Sequence, residues 1–276
     1  MSDHQRTYVV TGSASGLGRA TQKRIECRGG RVIGVDLRDA DVIADLGSDD
    51  GRTRMVDKVG DLTGGAVDAV IACAGVSSGG NSPTTVLDVN FFGAVATLQG
   101  LRPQLARGRD PAAVAVISIA AAFAPDEEVV EACLAGDVTR ARAAAEREAS
   151  RSDYLQLEPK SYRARSRPQE RHGYRAAKRA LARWVRRAAP GSDWAGAGIT
   201  LNGVAPGHVR TGMAPQLLHD SAFREETAQP LHWPGQPNEV AAVIAFLSSG
   251  ENTLMTGQII FVDGGREAMV RPDTAF

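Results

Sequence analysis

The sequence predicts an α/β fold: a doubly wound parallel sheet of about seven strands with helices on both faces. Three observations predict it. Short apolar runs alternate with longer segments of helical period along most of the chain. The run Val67–Cys73 is nearly continuous in apolar residues, as a strand buried on both faces should be. The first apolar run, Tyr8-Val9-Val10-Thr11, turns through Gly12-Ser13-Ala14-Ser15-Gly16-Leu17-Gly18 into a helix-compatible segment. A strand turning sharply into a helix aims unpaired N–H groups and the positive dipole end at one spot. That spot suits a phosphate, and glycines let the backbone approach it.

Thr7–Thr11 reads as the first strand and Leu17–Cys27 as the first helix. Gly29-Gly30 breaks the chain before a second strand, Arg31–Asp36. Its last residue, Asp36, can accept hydrogen bonds from a ribose diol and would repel a 2′-phosphate. Val42–Ala44 is a short third strand ending in Asp45-Leu46, where a side chain and an amide could bracket an adenine. Residues 47–66 read as a polar helix. Val67–Cys73 is the fourth strand, and the small Ala74-Gly75 after it leave space for a cofactor. A helix over Val86–Leu101 carries Asn90, and Val114–Ile117 delivers Ser118. The alternation then stops: residues 123–171 read as an insert of one or two helices, with Val129, Val130, Cys133 and Leu134 at helical spacing, then an irregular Arg-rich piece up to His172. Tyr174–Ala189 is a helix with a core stripe at Ala177, Leu181, Trp184, Val185 and Ala188. Ile199–Val204 is a strand ending at Pro206-Gly207; residues 208–234 form a long loop with a short helix around Ala214–His219. A helix over Glu239–Leu247 and a strand over Gln258–Val262 complete one domain spanning residues 1–276.

Composition narrows the function classes. The 276 residues are 43% hydrophobic, enough for one substantial core, and 32 basic residues balance 32 acidic ones. That balance gives no global attraction to nucleic acid or an anionic membrane. No apolar run approaches the ~20 residues of a membrane span, and the first strand begins too early for a signal peptide. Cys27, Cys73 and Cys133 are odd in number and widely spaced, which fits neither a disulfide framework nor a zinc site; each reads as a core or near-core residue of a cytoplasmic protein. No histidine cluster has metal-ligand spacing, so no metal is expected.

The chemistry-bearing residues come later in the chain. Tyr174 and Lys178 are four apart on a helix and share a face. An ammonium beside a phenol favours the phenolate, which turns tyrosine into a usable acid/base. Ser118, at a strand's C-terminal end, can donate to a carbonyl oxygen as charge develops on it. With these residues in hand, the chain resembles the classical short-chain dehydrogenase/reductases over almost its whole length. The matching pieces are Thr11-Gly12-x-x-x-Gly16-x-Gly18, Asp36, Asp45-Leu46, Ala74-Gly75, Asn90 in Asp-Val-Asn-Phe-Phe-Gly, Ser118, Tyr174-x-x-x-Lys178, Asn202 with Pro206-Gly207, and Val262-Asp263-Gly264-Gly265. Within that family it is most similar to the bacterial 3α-hydroxysteroid dehydrogenase/carbonyl reductases. They are suggested by the run Asp36–Leu46, the long insert and the tail Met269-Val270-Arg271-Pro272.

The resemblance implies a Rossmann-type dehydrogenase that moves a hydride between NAD(H) and a secondary alcohol or ketone, with a hydroxysteroid or other apolar carbonyl compound as substrate. It implies Tyr174 as acid/base, Lys178 as the group that lowers its pKa and holds the nicotinamide ribose, Ser118 as carbonyl polariser, and Asn90 as holder of a relay water. It implies Gly12, Ser15, Gly16, Leu17, Gly18, Asp36, Asp45, Leu46, Ala74, Gly75, Pro206, Gly207, Val209 and Thr211 as cofactor contacts. Asp36 favours NAD(H) over NADP(H), although Arg38 nearby is a counter-signal. Cys73 stands where the family usually has Asn, and a one-residue slip would put Ile119 in place of Ser118. In the hydroxysteroid subgroup the insert covers a surface that others use for tetramers, so a homodimer is expected.

Other readings remain. The segment Arg163–Arg187 is strongly basic, but Glu127, Glu128, Glu131, Glu146 and Glu148 could pair with it, and no nucleic acid is expected. His172 and His208 read as loop residues. Met213, Leu217, Leu218, Phe223 and Trp233 either cover an apolar substrate or pack a core. The alternative function is a catalytically weak nucleotide-binding protein whose insert binds a partner; a sugar-nucleotide epimerase is a third reading.

Overall fold

The computed structural model describes residues 5–150, 173–213, 228–231 and 234–274. Seven strands form one parallel sheet: β1 (Thr7–Thr11), β2 (Arg31–Asp36), β3 (Val42–Ile43), β4 (Ala69–Ala72), β5 (Ala112–Val116), β6 (Thr200–Pro206) and β7 (Ile259–Val262). Their spatial order is β3-β2-β1-β4-β5-β6-β7. The winding therefore reverses between β1 and β4, and a crevice opens at the C-terminal ends of those strands.

Side chains alternate across each strand, so the sheet has two cores. Val9, Val70 and Ala113 face one side, where they meet Met55 and Val59 of α2 (Asp49–Thr63), Leu98 and Leu101 of α4 (Ala94–Leu105), and Leu181 and Val185 of α7 (Tyr174–Ala188). Val10, Ile71 and Val114 face the other, against Ile25 of α1 (Gly16–Glu26) and Val240 and Ile244 of α8 (Pro237–Leu247). The expected stripe on α7 is confirmed: Ala177, Leu181 and Val185 are fully buried, while Trp184 and Ala188 pack on the same core.

The structure sharpens the sequence reading at several elements. The helix expected over Val86–Leu101 is longer and interrupted. It begins as α3 (Pro83–Leu87), capped by the Ser82 side chain on the Thr85 N–H, and passes through a π-helical turn over Asp88–Gly93 that carries Asn90. It continues as α4 past Pro103 to Leu105. The start of the insert folds as two helices, α5 (Glu127–Leu134), whose N-cap Asp126 accepts from two backbone N–H groups, and α6 (Val138–Ser150). Cys27 is exposed, because it lies at the solvent end of α1; Cys133 is buried and Cys73 half-buried. A short helix α9 (Arg266–Val270) after β7 was not foreseen. The Arg-rich piece up to His172 and the expected helix at Ala214–His219 lie outside the described residues, as do Leu217, Leu218, Phe223 and Trp233. Among the described residues no helix is long and apolar enough to cross a membrane.

Candidate active site

The glycine turn and the end of β4 are locked together by Thr11. Its Oγ1 accepts from the Cys73 and Ala74 N–H groups, both at 3.0 Å. Gly12 has a φ of +71°, and a Cβ there would stand 2.9 Å from the Ala74 Cα. The turn therefore requires glycine both for its backbone conformation and for space. A Cβ on Gly18 would meet the Gly12 carbonyl oxygen at 2.0 Å, so α1 can start against the turn only without a side chain there. Ser15 is exposed at the N-cap of α1 and Leu17 is half-buried in its first turn. Sequence reasoning quoted Thr11 only as part of a motif; its place before Gly12 was the available signal.

Asp36 ends β2 beside this turn. Its Oδ2 accepts from the Ala14 N–H at 3.0 Å and its Oδ1 from the Leu37 N–H at 2.7 Å. A carboxylate has about four lone-pair sites, so capacity remains for hydroxyl donors. Arg38 is exposed. Asp45 is exposed and holds the Gly47 N–H at 2.9 Å, while Leu46 is buried. On the far side, Gly16 faces Thr211: a Cβ on Gly16 would be 3.7 Å from the Thr211 side chain. Pro206 ends β6, the Gly207 N–H donates to the Val262 carbonyl at 3.0 Å, and Val209 bridges to Gly235. Several of the residues named for the cofactor thus lie together at the strand C-terminal ends, with Gly12 packed on Ala74, Gly18 on Gly12 and Gly16 facing Thr211. Such a cradle fits a dinucleotide: amides at the helix start for phosphates, a carboxylate for a ribose diol, and small residues beyond.

The four reactive candidates converge here. Ser118 lies two residues past β5, and its side chain is near enough to the Tyr174 hydroxyl to pull the phenol's pKa down. Its Oγ also accepts from the Ala120 N–H at 3.1 Å. Ile119 is buried, and it is Ser118 whose side chain acts on the Tyr174 phenol. Lys178 is 4% exposed and its Nζ donates to the Val116 carbonyl at 2.9 Å. The Nζ lies 5.9 Å from the Tyr174 ring centroid. A Cβ on Gly75 would be 2.8 Å from Asn90 Oδ1 and 3.7 Å from Lys178 Nζ, so both side chains point at that glycine. Asn90 is fully buried and grips Val76 twice, accepting its N–H at 2.9 Å and donating to its carbonyl at 2.8 Å. It thereby fixes the chain just after Ala74-Gly75.

One electrostatic expectation is reversed. The Tyr174–Lys178 pair was expected to lower the phenol's pKa. Burial instead raises it, and the opposing influence is the Ser118 side chain. Tyr174 as a whole is half-buried. Burial also drives the Lys178 ammonium down to about 8, with the neighbouring Cys73 opposing. Cys73 itself is pushed up to about 12 by burial. His208 is pushed down to about 4 by burial and by the nearby Arg266, so at neutral pH it carries no charge into the site.

Sequence reasoning missed Arg179. Its guanidinium donates from Nε to the Ala121 carbonyl and from Nη2 to the Phe123 carbonyl at 3.3 Å, tying α7 to the turn that follows Ser118. Its position beside Lys178, in a helix where other arginines face acids, hid the role. Two of those arginines do pair as the acidic residues suggested: Arg183 with Glu127 at 2.6 Å and Glu131 at 3.2 Å, and Arg187 with Glu131 at 3.8 Å. Asn202 is buried and holds the Met255 carbonyl and the Gln258 N–H, which makes it a clamp between β6 and β7.

Residues 126–267 match a family model described as enoyl-(acyl carrier protein) reductase. The chain is 34% identical over 269 residues to a 3-alpha-hydroxysteroid dehydrogenase/carbonyl reductase of Comamonas testosteroni, covering 96% of this chain and 97% of that one. It is 29% identical to a cis-4-hydroxycyclohexanecarboxylate dehydrogenase of Sinomonas cyclohexanicum, covering 96% and 98%. Among solved structures, the 3-alpha-hydroxysteroid dehydrogenase of Pseudomonas sp. B-0831 complexed with NADH is 38% identical. It superposes with a TM-score of 0.83 over 97% of this chain and 99% of that one.

Proposed function

The chain belongs to the short-chain dehydrogenase/reductase family, and from that premise we propose that it interconverts a secondary alcohol and a ketone with NAD(H), on an apolar ring compound of the hydroxysteroid kind. The observation that carries this reading is the convergence of side chains at the strand ends: Lys178 Nζ lies 5.9 Å from the Tyr174 ring, it and Asn90 both point at Gly75, and Ser118 is near enough to lower the Tyr174 phenol's pKa. When bound, NAD(H) supplies the hydride acceptor or donor, chemistry that belongs to the cofactor. Gly12, Ser15, Gly16, Leu17 and Gly18 hold its phosphates, and Asp36 accepts from the adenosine ribose, which favours NAD(H) over NADP(H). Asp45 and Leu46 flank the adenine. Ala74, Gly75, Pro206, Gly207, Val209 and Thr211 border the nicotinamide end.

Tyr174 takes the hydroxyl proton in oxidation and returns it in reduction. Ser118 donates to the substrate oxygen as charge develops there. Lys178, still protonated at neutral pH with a pKa of about 8, directs its ammonium towards the nicotinamide ribose. Asn90 holds the strand end that borders this space and a relay water. The similarity to a hydroxysteroid dehydrogenase and to a cyclohexane-ring dehydrogenase supports the ring substrate. A cytoplasmic homodimer is part of the same reading.

The test is a screen of absorbance at 340 nm with NAD(H) and NADP(H) against secondary alcohols and ketones, hydroxysteroids included. Tyr174→Phe is expected to lose turnover by on the order of 10²-fold or more while its NADH affinity stays nearly unchanged. Turnover by that variant at the wild-type rate rejects the assignment. NADH binding with no turnover of any panel compound favours a partner-binding protein instead.

A further inference from the structure

Resting on the oxidoreductase reading above, we propose that helix α6 of the insert braces the reacting groups. In this assignment Glu148 is the positioning residue for Tyr174 and Arg142 the positioning residue for the turn that carries Asn90.

Tyr174 is the first residue of α7, so its phenol is only as well placed as that helix's first turn. That turn lacks the usual means of fixing itself. It contains no acidic residue, and its N-cap is Gly173, which offers no side-chain hydrogen bond. No capping serine or aspartate fits there, since Gly173 has a φ of +80° and a Cβ would stand 3.3 Å from the Pro83 carbonyl oxygen. The positive end of the helix and its unpaired N–H groups still need an acceptor and a negative charge. Glu148 supplies both from a different helix. Glu148 is 3% exposed, and its Oε2 accepts the Gly173 N–H at 3.1 Å. This is the bond that a glutamate at the third helical position makes in a capping box. On α7 that position is Ala176, which cannot make it.

The same helix grips the second element. Arg142 meets Asp88 in a two-pronged ion pair, Nε to Oδ1 at 3.1 Å and Nη2 to Oδ2 at 2.9 Å. Asp88 opens the π-helical turn in which Asn90 is the third residue. The Asp88 side chain is 14% exposed and that of Arg142 46%, so the pair is shielded on the carboxylate side, and its two-pronged geometry fixes the carboxylate's orientation. Along the same stretch α6 presents the fully buried or nearly buried Ala141, Ala144 and Ala145, small enough for close packing. One rigid rod thus touches the start of the Tyr174 helix and the start of the Asn90 turn. Neither contact reaches the crevice, so both act through placement.

The experiment compares Glu148→Ala, Glu148→Gln and Arg142→Ala with wild type and Tyr174→Phe. Each is assayed with the panel compound that wild type turns over fastest, for kcat, KM and NADH affinity. Glu148→Ala is expected to lower kcat about 10-fold, because small misplacements of a reacting group are costly, with NADH affinity unchanged. Glu148→Gln keeps an acceptor for the Gly173 N–H and is expected to recover most of that loss. Arg142→Ala is expected to lower kcat by about 3-fold with the same pattern. Wild-type kcat in a folded Glu148→Ala overturns the brace, as does a Glu148→Gln no better than Glu148→Ala. If Glu148→Ala does not fold, Arg142→Ala decides, and wild-type kcat in it overturns the proposal. Undiminished turnover in Tyr174→Phe counts against the oxidoreductase reading itself. Loss in Tyr174→Phe with wild-type rates in the α6 variants counts against the brace alone. No turnover by wild type across the panel overturns both.

Discussion

Tyr174 and Ser118 are coupled more tightly than the Tyr-x-x-x-Lys spacing suggests. Burial holds the phenol above its ordinary pKa and the Ser118 hydroxyl pulls it back. Removing that hydroxyl leaves burial unopposed, so Ser118→Ala is expected to shift the pH profile of alcohol oxidation to higher pH. A profile that stays in place, with only its height reduced, contradicts the coupling. Lys178 gives a second pH signature. Its ordinary pKa of 10.5 falls to about 8 in the folded chain. Between those values the unfolded chain holds a proton that the folded chain has released, so stability rises with pH across that window. Below it, the full cost of burying an ammonium applies. The Tm of Lys178→Met relative to wild type should therefore be most favourable below pH 8 and decline towards 10.5. A difference independent of pH rejects the argument. Cys73 and Cys133, both pushed to about 12, should resist alkylation that labels the exposed Cys27, as read by mass spectrometry.

At the scale of elements, the glycine turn works by excluding side chains. A methyl at position 18 would overlap the Gly12 carbonyl, so the start of α1 must move away from β1. Gly18→Ala is expected to cost about 1–3 kcal/mol and to weaken NADH binding, measured by thermal unfolding and fluorescence titration. Unchanged affinity would show that the turn is not the phosphate cradle. The fourth strand, the glycine turn and the core stripe of α7 were legible because each depends on local period and spacing. The π-helical turn at Asn90 was not. Its i to i+5 bonding leaves no mark on the apolar pattern, and its flanking residues Phe91 and Phe92 are buried as helix residues would be. Glu148 was equally hidden, since a glutamate in an Ala/Glu/Arg helix looks like a solvated face.

Across the whole molecule, the two ends of the sheet divide the work. At the C-terminal ends of the strands lie the crevice and the reactive side chains. At the opposite end, Arg6 binds five times to backbone carbonyls: Arg109 at 2.6 Å, Asp110 at 2.7 Å, Asp68 at 3.0 Å, and Ser248 at 3.1 and 3.2 Å. It joins the start of β1 to the loops before β4 and β5 and to the end of α8. Arg6→Ala is expected to lose about 2 kcal/mol or more of stability, since hydrogen bonds from a charged group are among the stronger ones, with kcat unchanged where the variant is folded. A kcat loss in folded Arg6→Ala would break that division. The amino-acid sequence determined the alternation of strands and helices, the glycine turn and the residues that meet at the crevice, because these follow from period, spacing and side-chain chemistry. Only the tertiary structure decided that Tyr174 is governed by burial and Ser118 rather than by Lys178. It also decided that Asn90 grips Val76 and that the insert reaches back to hold the start of α7. Burial depth and contacts between distant segments are set by how the layers pack, and no local pattern along the chain encodes them.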